Sequence, residues 1–119
     1  GANRPMWIAN VSNDAWFGRT SGPVQHLNLA AYRAIETGLP VVRATPTGIS
    51  ALIDPWGRVD PLARLDPAES GVIDTRLPAA LSPTLFGRIG DLGFWLLTLG
   101  AMLVAIGDRF GSLVRRFRR

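Results

Sequence analysis

The chain has 119 residues, 47% of them hydrophobic, a formal net charge of +4, one histidine, and neither cysteine nor lysine. That length holds one domain with a modest core, and the lack of cysteine excludes disulfides and zinc–thiolate sites while leaving the compartment open. Residues 1–107 balance eight arginines against eight acidic residues, so the whole excess sits in 108–119 with five arginines and Asp108; this is a tail and not a basic nucleic-acid face.

The sequence opens Gly1-Ala2-Asn3-Arg4-Pro5, without a start methionine or signal peptide. Met6–Val11 is short, apolar and bounded by turn formers, which predicts a buried strand. A lone strand cannot satisfy its edges, so the sequence is expected to be the C-terminal piece of something larger. Ser12 to Gly22 reads as loop, and Pro23 as an early helical residue capped by Ser21 or Gly22. Val24, Leu27, Ala31, Ala34 and Ile35 fall at helical spacing, and Gly38 and Pro40 stop the helix. Strands are predicted at Val41–Ala44, Ile49–Ile53 and Gly71–Thr75, with a tight turn over Asp54–Gly57 leading to Arg58-Val59. Leu77 to Thr84, with two prolines, reads as linker.

Ile89 to Gly107 carries one charge, Asp91. As one helix it reaches roughly 28 Å, close to a bilayer's hydrocarbon thickness, which predicts a transmembrane helix; the alternative is a buried core helix. Phe94 and Trp95 suit an interfacial position, and the following arginines put the C-terminus in the cytoplasm and residues 1–85 outside. Gly93, Gly100 and Gly107 repeat every seven residues, either as a seam for another membrane helix or by chance. The tail from Phe110 is most simply a contact with anionic lipid rather than with nucleic acid.

Chemistry concentrates in Asn10–His26, N-V-S-N-D-A-W-F-G-R-T-S-G-P-V-Q-H. Asn13 and Asp14 could orient a ligand, or bond local backbone in an Asx turn. Trp16 and Phe17 are too bulky for a free loop and must pack on core, ligand or lipid. His26 is the one neutral-pH base, but no nucleophile or acid stands at a fixed spacing from it, which argues against catalysis. Glu36 and Arg33 read as a solvated pair. Ser12, Ser21, Ser50 and Thr47 lack a nucleophile-elbow context, and no phosphate loop or metal-ligand spacing is present.

Together, N-V-S-N-D-A-W-F-G at 10–18, G-P-x-Q-H at 22–26, R-A-I-E-T-G-L-P-V-V-R-A-T at 33–45, T-G-I-S at 47–50 and P-W-G at 55–57 resemble the C-terminal part of the apolipoprotein N-acyltransferase family. That family is a branch of the carbon–nitrogen hydrolase (nitrilase) superfamily. Pro46 departs from the asparagine common in this turn. The resemblance implies an α/β fold: part of a nitrilase-type α-β-β-α sandwich over 1–76, a linker over 77–88, one transmembrane helix over 89–107 and a basic tail over 108–119. It implies a bacterial inner-membrane enzyme, its sandwich periplasmic and its C-terminus cytoplasmic, packed against further transmembrane helices. The implied chemistry moves an acyl chain from a phospholipid through a cysteine thioester to the amine of a diacylglyceryl-cysteine apolipoprotein, with a glutamate base, a lysine at the oxyanion and no cofactor or metal.

None of that triad is in this sequence; Glu36 and Glu69 do not occupy the family's base motif, and the resemblance puts the nucleophile upstream. No catalytic residue is therefore assigned, and the sequence by itself is expected to be inactive. Asn13, Asp14, Trp16 and Phe17 match the family segment that shapes the acyl and lipoprotein site, and are the candidate substrate-binding residues. Two other functions stay open at this point: another membrane-tethered amidase of the superfamily, or a non-catalytic membrane anchor.

Overall fold

A computed structural model describes residues 4–117, and the side chains of 4–107. It forms two compact units, Gly1–Gly87 and Arg88–Arg119. The first holds four strands, β1 (Ile8–Val11), β2 (Val41–Ala44), β3 (Ser50–Ile53) and β4 (Val59–Leu65), with helix α1 (Gly22–Thr37) joining β1 to β2. Sheet order follows chain order: β1 and β2 are parallel, as the α1 crossover requires, and the remaining pairs are antiparallel. Pro61 is tolerated in β4 because that strand lies at the sheet edge.

α1 buries Pro23, Leu27, Ala30 and Ala34, a stripe at helical spacing. The core joins Leu27, Ala30 and Ala34 to Val41, Ile49, Ala51 and Ile53 of the sheet. α1 ends at left-handed Gly38, whose amide donates to the carbonyl of Ala34. Arg4 then donates to the carbonyls of Thr37 and Leu81, and the Thr84 hydroxyl to that of Glu36, so segment 77–84 is tied along the end of α1.

Four expectations change. β1 alternates half-buried and exposed positions instead of being buried, because among the described residues it pairs only with β2. Beyond the turn, Val59 opens a seven-residue strand. Gly71–Thr75 forms no strand; its β-branched residues find no ladder partner among the described residues, and propensity without pairing makes no sheet. The transmembrane helix over 89–107 is not found: among the described residues no helix is long and apolar enough to cross a membrane. The apolar run divides at Gly90 and Asp91 into α2 (Leu85–Ile89) and α3 (Leu92–Phe117). The arginine tail that follows lies outside the described side chains.

Candidate functional site

The site is built where the C-terminal ends of β1 and β2 meet the start of α1. The β1–β2 register sets Asn10 beside Arg43. Arg43 shares the α1-facing side of β2 with Val41, so a guanidinium enters the layer between helix and sheet and must be paired there. It is: Nη2 donates to both oxygens of Asp14, at 3.0 and 2.8 Å, Nε to the Ile49 carbonyl at 3.2 Å, and Nη1 to Oδ1 of Asn10. Asp14 and Arg43 are 1% and 2% exposed.

Asp14 gathers two further donors. The Ser12 hydroxyl reaches Oδ1 at 3.2 Å, and His26 Nδ1 lies 2.8 Å from the same oxygen. Burial pushes the Asp14 carboxyl up, but the hydrogen bonds from His26 and Arg43, the Arg43 charge and the Ser12 bond outweigh it and hold the group below the usual carboxylate range. Oδ2 rests against bare backbone: a Cβ added at Gly48 would lie 2.1 Å from it, so position 48 has no room for a side chain.

From this anchor the chain turns outward. The Asn13 side chain accepts the Ala15 amide at 3.0 Å, an Asx turn, and the Asp14 carbonyl accepts the Phe17 amide at 3.1 Å, closing a 3-10 turn over Ala15–Phe17. Thr20 links this turn to α1, donating to the Phe17 carbonyl and accepting the Gly22 amide. Phe17 folds back, with its ring edge-on to His26 at 5.5 Å and close over Gly22, where a Cβ would come within 2.5 Å of the ring. Trp16 points away and is 88% exposed. A groove of about 580 Å³ runs beside the loop, between Ala15, Arg19 and Thr20 on one wall and Pro46, Thr47 and Arg64 on the other.

The four sequence-predicted residues thus share one loop but divide by environment: Asn13 bonds local backbone, Asp14 is buried against Arg43 and His26, and Trp16 and Phe17 carry the loop's apolar surface. The expectation that both aromatics pack on something holds for Phe17; Trp16 meets solvent. Sequence reasoning missed Arg43 and the company of His26. The signal available was a single charge inside V-V-R-A at the parity of a core valine. Arg33 and Glu36 form the expected exposed pair at 2.7 Å. Among the described residues no group of three or more His, Cys, Asp or Glu could hold a metal ion.

Comparison with known proteins gives the geometry a context. The sequence profile of the family described as carbon-nitrogen hydrolase matches residues 4–83. A protein of Caulobacter vibrioides named apolipoprotein N-acyltransferase is 53% identical over 106 residues, covering 89% of this chain and 20% of the relative. Proteins of the same name from Rhodopseudomonas palustris and Shewanella oneidensis are 51% and 42% identical, covering 92% and 82% of this chain and 20% and 18% of their own length. The chain therefore spans about a fifth of the length of these relatives.

Proposed function

The chain belongs to the carbon–nitrogen hydrolase family, and on that premise we propose that it serves in an N-acyltransferase of bacterial lipoprotein maturation. In this chemistry a phospholipid acyl chain passes through a cysteine thioester to the amine of a diacylglyceryl-cysteine apolipoprotein. The 119 residues contain no cysteine or lysine, so the nucleophile and the oxyanion lysine come from elsewhere in such an enzyme. This chain contributes a wall of the acyl site.

The observation that carries this reading is an exposed tryptophan on a braced loop. Trp16 stands in water at 88% exposure, while Asp14, two residues before it, is buried and ion-paired. Covering half an indole with an acyl chain is worth about 2–3 kcal/mol. A loop ordered beforehand spends little of that gain on entropy. Trp16 and Phe17 pack along the chain, and Asn13 and Asp14 fix the loop. An inner-membrane setting, with the α/β unit on the periplasmic side, agrees with the second unit, where Leu92, Phe94, Trp95, Leu97 and Leu103 are all exposed.

The test replaces the matching segment of the Caulobacter vibrioides relative with this sequence and supplies phospholipid carrying a photoreactive acyl chain. Label should be recovered on the peptide holding Trp16 and Phe17. Labelling of the chimera that spares this peptide would refute the reading.

A further inference from the structure

Building on that reading, we propose that Arg43 is the positioning residue of the aromatic loop, docking Asp14 so that one carboxylate fixes both the 13–17 turn and the tautomer of His26. Arg43 projects from β2, an interior strand paired on both sides. Its donors reach the end of β1 through Asn10, the turn before β3 through the Ile49 carbonyl, and the loop through Asp14. A guanidinium presents those donors in one rigid plane, so the three segments are held in fixed relation; a lysine ammonium has no such fork.

The same geometry dictates the proton on His26. An ionised carboxylate only accepts hydrogen bonds, so the 2.8 Å contact between Nδ1 and Asp14 requires the proton on Nδ1. Arg43 Nη2, 3.3 Å from Nδ1, then faces it donor to donor and makes no bond with it. In the neutral ring that proton leaves Nε2 bare. It has no hydrogen-bond partner among the described residues, where no buried side-chain nitrogen or oxygen lacks one, so Nε2 is open to solvent. The ring borders a groove of about 380 Å³ with Asn10, Leu29, Tyr32 and Glu36. Free histidine in water prefers the proton on Nε2, so the Nδ1–H form is a signature of the docked carboxylate.

His26 is the sole histidine, so its ring nitrogens can be read without ambiguity in the ¹⁵N-labelled full chain. Near pH 8 the wild type should show Nδ1 protonated and Nε2 bare. Two variants disturb the dock differently: Arg43→Lys keeps the charge and loses the fork, while Gly48→Ala keeps the arginine and drives a methyl against Oδ2. Each should move His26 toward the Nε2–H form and shift the Trp16 indole resonance, with the amides of β2 and β3 in place. In the Caulobacter chimera, each should lower acyl-transfer kcat about tenfold or more with a smaller change in KM. A wild-type His26 protonated on Nε2, or a wild-type tautomer in both folded variants, would overturn the positioning role. A shifted tautomer with unchanged transfer would instead uphold the positioning and sink the acyl-site reading on which it rests.

Discussion

A carboxylate taken out of water costs several kcal/mol unless hydrogen bonds replace its hydration, and Asp14 shows that replacement in full. Removing one partner of such a pair costs about 3–5 kcal/mol, because the other is left buried and charged. The pair also gives the fold a defined pH dependence. The Asp14 carboxyl sits below its ordinary value of 3.8 in the folded state, so its stabilisation is complete above the unfolded value and drains away as pH falls through the lower folded one. The urea midpoint of the wild type should exceed that of Asp14→Asn at pH 5, and the gap should begin to narrow only as pH falls below about 4 and shrink further toward more acid pH; a gap undiminished at pH 2 would exclude the ionised pair as its source. From the sequence, Asn13-Asp14 could be read as a local turn or as a site pair, and Asn13 makes the turn. Asp14 is bound across 29 residues to Arg43, a separation that no local rule reaches.

Elements were legible where periodicity and punctuation agreed. Val41–Ala44 carried β-branched residues between Pro40 and a turn, and Gly38 marked the end of α1; both stand as read. Elements that depend on a partner were not. Gly71–Thr75 looks like a strand to a rule that sees only side chains, and Met6–Val11 looks buried until its one sheet neighbour among the described residues is known. The 3-10 turn over Ala15–Phe17 escaped notice because it is held by side chains of Asn13 and Thr20, not by a repeating pattern. Its junction with α1 is tight enough to test. A methyl on Gly22 would lie 2.5–2.6 Å from the Phe17 side chain, so Gly22→Ala should force the ring off His26. Overpacking of this kind costs about 1–3 kcal/mol in thermal or urea melts. An unchanged melt, with the Phe17 ring-current shift still present at His26, would contradict this packing.

At the scale of the whole molecule, two units of different character share one chain: an α/β unit with its own core and a helical unit whose described side chains are mostly apolar and exposed. The first carries the braced aromatic loop that the proposed function makes one wall of an acyl site. The helical unit presents surface that a soluble monomer rarely leaves uncovered, although the single uninterrupted span suggested by hydropathy is broken at Gly90 and Asp91. Family membership was legible from the loop and helix motifs, whereas the ion pair that braces the loop required coordinates. The central claim is that this loop forms part of an acyl-transfer site. The most direct measurement is transfer of a phospholipid acyl chain to a diacylglyceryl-cysteine peptide by the Caulobacter vibrioides relative carrying this sequence in place of its own. The chimera should transfer, and Trp16→Ala within it should lose about tenfold or more, the kinetic equivalent of about 1.4 kcal/mol. Equal rates with and without the indole would contradict the claim.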